Sequence, residues 1–225
     1  MKPLPLIIIL LVLNHIAAYG SRVTVTLFAI NQSASAFTIG LLMAVYSLLP
    51  AILSVAAGRW IDRIGVQRPF LVGSMTVGVG TFVSFVWPSM YALYATSVIV
   101  GVGFMLINVA AYHAVGEMST PEERPVNFSY VALGFSTSTF IAPILSGVVI
   151  DTLGHRVAFL ILTLFTVLPV IALTMTQLPR HRPHVSLEEK PVGQVLDLLR
   201  DAELRRLFIT MAIITVGWED RKSVV

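Results

Sequence analysis

Apolar residues in this chain run in long, nearly unbroken stretches. They show neither the alternation of a half-buried strand nor the one-sided stripe of a surface helix. Leu4–Ile30, Thr38–Trp60, Phe70–Trp87, Tyr91–Val115, Phe128–Ile150 and Val157–Leu178 are such stretches. Crossing a hydrocarbon core of ~30 Å takes about 20 helical residues, so each reads as a membrane-spanning helix. A seventh begins near Leu207 and meets charge at Glu219 after about 11 apolar-leaning residues, too few to cross. The connections are short. Trp87-Pro88-Ser89 marks one turn, and Thr120-Pro121 opens a polar loop. The pattern predicts an all-α, polytopic transmembrane bundle. The apolar start of the chain continues to about Ile30 with no small-residue cleavage site before a polar domain, so it is read as a retained first span.

Composition agrees. Hydrophobic residues make up 56% of the chain and charged residues 12%, with a mean hydropathy of +0.85. A soluble core of this size could not hide so much apolar surface. Cysteine is absent, which excludes disulfides, thiolate nucleophiles and cysteine metal sites. The net charge of +3 carries little meaning as a sum. No basic patch points to nucleic acid. No nucleophile–base or paired-carboxylate constellation points to an enzyme. His155, His181 and His184 fall in loops without the carboxylate company of a metal site, and nothing calls for a cofactor. The distribution of basic residues does matter. Lys2, then Arg59, Arg63 and Arg68, then Arg124, then the group from Arg180 to Arg206 fall on one side of the predicted spans, against Arg156 on the other. The positive-inside bias makes that side, and the N-terminus, cytoplasmic.

Charge bias does not explain where glycine and aspartate stand. Gly58 to Leu71 reads GRWIDRIGVQRPFL, and Gly147 to Leu160 reads GVVIDTLGHRVAFL. The alignment keeps Gly58/Gly147, Ile61/Ile150, Asp62/Asp151, Gly65/Gly154, Phe70/Phe159 and Leu71/Leu160. The first copy joins spans two and three, the second joins five and six. An odd number of crossings separates them, so they lie on opposite membrane faces, as in an inverted repeat of three spans plus three. Gly65 permits a tight turn. Asp62, at a helix end, can pair with Arg63 or Arg68 or accept hydrogen bonds from the start of another helix.

The pattern Gly58-x-x-x-Asp62-Arg63-x-Gly65, followed by Arg68, resembles the loop between spans two and three of the major facilitator superfamily. The resemblance covers residues 5 to 218 and departs at Val66 and Gln67, where that family often has further basic residues. It implies an all-α bundle with an inverted 3+3 repeat. It also implies that Gly58, Asp62, Arg63, Gly65 and Arg68 form a gating loop, whose contacts exist only while the cytoplasmic side is closed. The plain alternative is a solvated, positive-inside turn. Ser138-x-x-x-Ala142-Pro143-x-x-Ser146-Gly147 in span five is similar to the glycine-proline motif of the family's antiporters, with a helix bend implied at Ala142, Pro143 and Gly147. The arginine expected before Gly101 in span four is replaced by Ser97, which argues against the classical drug–proton antiport of that family.

Within the spans, polar residues gather in one, two, four and five: Asn14, His15 and Arg22; Tyr46 and Ser47; Asn108, Tyr112 and His113; and Ser136 to Thr139. In the resembled fold these four spans line the central cavity, while three and six face outward. Asn14, His15, Arg22, Tyr46, Asn108 and Tyr112 are therefore the substrate-cavity candidates. His15 and Arg22 share one face of a helix, about 10 Å apart along its axis. Arg22 lies past the midpoint, so it either lines the cavity or snorkels to headgroups. His15 is either a proton relay or a hydrogen-bonded histidine. Asn108 and Tyr112 could share a polar face, and Asn108 could equally bind a neighbouring helix. His113 is given no role.

The expected organisation is a six-helix half over 1–178, a cytoplasmic linker over 179–206, the start of a seventh span over 207–218, and a non-native tail over 219–225. The resemblance implies a secondary active transporter of a small solute working by alternating access, with efflux slightly favoured over uptake. Its implied partners are the solute, a possible coupling proton, the bilayer and a second, C-terminal six-span half. A non-transporting receptor or assembly subunit on the same fold, or a half that homodimerises into a carrier, are the alternatives.

Overall fold

The computed structural model describes residues 3–176, together with Arg206 and Thr210. The chain divides into two compact units, Met1–Pro183 and His184–Val225. In the second, the Thr210 hydroxyl donates to the Arg206 carbonyl at 2.8 Å. Apart from those two positions, the linker over 179–206, the seventh-span start over 207–218 and the tail over 219–225 lie outside the described residues.

The described residues of the first unit form six helices: α1 Pro3–Asn31, α2 Ala36–Ile64, α3 Gln67–Val86, α4 Met90–Met118, α5 Arg124–Leu153 and α6 His155–Met175. Each coincides with a predicted span and is long and apolar enough to cross a membrane. Several run beyond the apolar stretch that announces them, because a helix continues through polar residues as it leaves the hydrocarbon. α2 carries Arg59, Asp62 and Arg63 in its final turns. The loop that looked like a charged turn is therefore mostly helix, broken only at Gly65 and Val66. Local chemistry sets the starts. Ser35 and Ser89 cap α2 and α4 through their hydroxyls, which accept from Thr38 N and Ala92 N at 3.2 Å each. Ahead of α5, Thr120 and Glu123 each accept from the other's backbone N–H at 3.3 Å, a reciprocal capping box.

The inverted repeat is visible in the backbone. Helices α1 and α4 have 29 residues each, α2 and α5 have 29 and 30, and α3 and α6 have 20 and 21. The two aligned turns match as well. Gly65 (φ 79°, ψ 175°) and Gly154 (φ 85°, ψ 165°) both adopt a positive φ that other residues avoid. Their N–H groups donate to the aligned carbonyls of Ile61 and Ile150 at 2.8 and 3.0 Å. Two further aligned residues, Gln67 and Arg156, exchange end caps. Gln67 Nε2 donates to the carbonyls of Leu173 and Thr176, closing the end of α6, at 2.9 and 2.8 Å. Arg156 Nε donates to Phe85 O at the end of α3, at 2.9 Å. The departure noted at Gln67 thus has a structural use.

Packing runs between the two triplets more than within them. α2 lies on α4 and α5 lies on α1, while α3 contacts both α4 and α6, and α6 contacts α1. The α1–α5 contact is parallel: Ser138 Oγ donates to Val12 O at 3.3 Å and Ser146 Oγ to Gly20 O at 3.2 Å, the same order along both helices. Small residues let backbones approach. A Cβ placed on Gly73 of α3 would lie 2.8 Å from Gly103 O of α4, and one on Gly103 would lie 2.8 Å from Gly73 O. Hydroxyls fasten the same region. Ser84 bonds Thr96 at 2.7 Å, and Thr81 bonds Thr163 at 2.9 Å. Phe70 and its repeat mate Phe159 are fully buried.

Within this half, 50% of α3's most apolar window is buried, against 11% for α2 and 22% for α5. Of the hydroxyls of α3, Ser84 reaches α4, Thr81 reaches α6 and Ser74 reaches α1. The open helices are α2 and α5.

Candidate functional site

His15, Tyr19 and Arg22 follow one another at i, i+4 and i+7 along α1, so they stand on one face. The structure joins them through Tyr19. His15 stacks on Tyr19 with ring centroids 4.5 Å apart, and the Arg22 guanidinium carbon lies 5.8 Å from the centre of the same Tyr19 ring. Arg22 also sits 5.2 Å from the ring of Tyr46 on α2, and its Nη2 donates to Ser47 Oγ at 2.9 Å. Tyr46 is buried, its hydroxyl 3.1 Å from Ser21 Oγ. Ala18, Tyr19, Arg22, Tyr46, Val100, Gly101 and Phe104 together line a small pocket between α1, α2 and α4. Gly101 forms its tight side: a Cβ there would lie 2.6 Å from Tyr46 O.

The height of the guanidinium matters. Counted at 1.5 Å per residue, Ser47 stands about 5 Å from the middle of α2, and Tyr19 about 3 Å from the middle of α1. These partners hold the arginine tip toward the middle of the two helices, not toward their ends. Among the described residues no carboxylate is in ion-pair range of it.

His15 is almost fully buried, packed against Phe104 and Phe135 as well as Tyr19, at 4.9 and 4.4 Å between centroids. Its Nδ1 is buried and has no hydrogen-bond partner among the described residues. The other cavity candidates do not line this pocket. Asn14 is buried away from the pocket, donating to Leu10 O at 2.9 Å and to Ser74 Oγ of α3 at 3.1 Å. Asn108 donates to Phe104 O of its own helix at 3.0 Å. Tyr112 is exposed and packs edge-on to Phe135, 5.9 Å away. Tyr19 is the pocket residue that the sequence reading passed over. Its spacing from His15 and Arg22 was the available clue.

A second group gathers where α2 and α4 end. Asp62 lies 3.7 Å from Nδ1 of His113, and Nε2 of the same ring lies 3.2 Å from Glu117. His113, to which the sequence reading gave no role, therefore spans a carboxylate on each helix. Arg59, Arg63 and Arg68 are exposed, and Gly58 faces open space. In α5, Ala142 is fully buried in the run of small residues Ser138, Ala142 and Ser146 facing α1, while Pro143 lies on the exposed side and Gly147 has open space above it.

The sequence profile described as Major Facilitator Superfamily matches residues 7–219. The chain is similar to Multidrug resistance protein 1 of Bacillus subtilis (strain 168), 24% identical over 144 residues, covering 63% of this chain and 36% of that protein. It is also similar to the vesicular acetylcholine transporter of Torpedo marmorata, 29% identical over 143 residues, covering 63% of this chain and 28% of the relative. A crystal structure of the peptide transporter POT in complex with sulfate has the same fold, with a TM-score of 0.70 at 16% identity, covering 96% of this chain and 46% of that one. The chain thus spans between 28% and 36% of the length of those two curated relatives.

Proposed function

We propose a function from one premise: the chain belongs to the major facilitator superfamily. It forms one wall of a secondary active transporter that moves a small solute by alternating access, in the plasma membrane or a bacterial inner membrane, with the N-terminus cytoplasmic. The observation that carries this reading is Arg22, an ionisable group within an apolar span, held toward the middle of α2 beside a pocket, and such residues are costly in a span unless they serve a pathway. The multidrug resistance relative supports efflux. Basic residues at the Asp62 end support the orientation.

The open faces of α2 and α5 call for the second wall, a further six-span half in the same polypeptide or a separate one. Asp62 and His113 join α2 to α4 at the cytoplasmic end, and their contact favours the state in which that end is closed. The test is flux in proteoliposomes. The 225-residue chain alone should insert and transport nothing, and co-reconstitution with a matching half should restore flux. Robust flux by the chain alone would replace the two-half carrier with a homodimer, whose α2 and α5 faces meet their copies. No flux with the matching half present would remove the carrier reading.

A further inference from the structure

The guanidinium of Arg22 is a fixed positive charge, and the described groups around it are neutral: the rings of Tyr19 and Tyr46 and the hydroxyl of Ser47. The described carboxylates, Asp62, Glu117, Glu122, Glu123 and Asp151, all stand at helix ends or in a turn. A guanidinium carries five N–H donors in a fork suited to two-oxygen acceptors. The bond to Ser47 uses one of them. The aromatic faces share the charge without neutralising it. Beside the fork the pocket is small and walled by the buried Ala18, Val100 and Gly101, while the rings of Tyr19 and Phe104 at its edge are partly exposed.

We propose that Arg22 and the rings at the edge of this pocket form a subsite for an amphipathic organic anion, its carboxylate or similar acidic group on Arg22 and its flat apolar body against Tyr19 and Phe104. The assignment rests on the carrier reading and names the class of solute that this wall selects. A cation would meet an unshielded like charge there. A neutral amide would offer the fork an acceptor but no charge to offset its own.

The probe is benzoate, compared with benzyltrimethylammonium and benzamide, binding to the 225-residue chain in phosphatidylcholine nanodiscs and followed by saturation-transfer NMR. Benzoate should bind about tenfold tighter than either comparator, the worth of one charge-assisted pair. Arg22→Gln should abolish that preference, and Arg22→Lys should keep part of it. Equal binding of the three probes, a preference for the cation, or undiminished benzoate binding by Arg22→Gln would overturn the assignment. The ranking on the unmodified chain decides if a variant misfolds. Discs containing phosphatidylglycerol separate the two sources of an anion. Benzoate binding that survives there supports a solute, and displacement by the lipid hands the site to headgroups and overturns it. Charge-selective binding with no flux in the complete carrier would keep the subsite and remove the carrier. Flux of benzyltrimethylammonium with none of benzoate would do the reverse.

Discussion

Replacing Gly103 by alanine adds one methyl group to the closest approach of α3 and α4. The new Cβ would lie 2.8 Å from Gly73 O, 2.9 Å from Val77 N and 3.0 Å from Thr76 Cβ. Two of these atoms are backbone and cannot rotate away, so the helices must part by about half an ångström to restore ordinary contact. Overpacking of this kind costs ~1–3 kcal/mol. Alanine's better helix propensity returns at most ~1 kcal/mol. Gly116 on the same helix has nothing within 4 Å of its Cβ position, so Gly116→Ala receives the propensity gain without the clash. The two variants should therefore differ by ~1–3 kcal/mol, with Gly103→Ala the weaker. Unfolding of the detergent-solubilised chain by denaturant, followed by helical circular dichroism, measures that difference. Adding Gly73→Ala should cost less than its effect alone, since the helices have already separated. Equal stability of Gly103→Ala and Gly116→Ala would refute the close contact on which the α3–α4 packing rests.

The Asn14–Ser74 bond links α1 to α3, and a double-mutant cycle with alanine at both positions should show a coupling of about 0.6 kcal/mol, typical of interhelical bonds in membranes. Because the chain has no cysteine, single cysteines report topology cleanly. A cysteine at Ser33 should react with an impermeant thiol reagent added to intact cells and one at Arg68 should be protected, and the opposite pattern would invert the orientation. Asp62→Asn in the complete carrier should slow flux severely with little loss of expression, and His113→Gln should slow it in the same direction if Asp62 acts through that ring. Normal flux in both variants would leave only a solvated turn.

Architecture was legible because hydrocarbon imposes a coarse rule: a long apolar run must become a helix, and all six did. The repeat was legible because a positive φ at Gly65 and Gly154 admits little besides glycine, which leaves a mark at both aligned positions. The site was harder to read, since polar residues in a span serve two purposes that composition cannot separate. Asn14 looked like a cavity residue and proved to be a fastening to Ser74. Tyr19 was not singled out in the sequence, yet its ring stands between His15 and Arg22. His113 gained its neighbour Glu117 from helical spacing, which the sequence contains, but its neighbour Asp62 from the packing of α2 on α4, which it does not.

The exchange of partners between triplets also sets a timetable for biogenesis. When α3 leaves the ribosome, α1 to α3 have few surfaces to offer one another, because the faces that receive them belong to helices not yet made. At about 5–20 residues per second, the roughly 90 residues from α4 to α6 take several seconds to synthesise. Through that interval the first three spans must be held in lipid or by insertion factors. A chain arrested after α3 should consequently be an orphan open to quality-control proteases, and release past α6 should confer resistance in a single step.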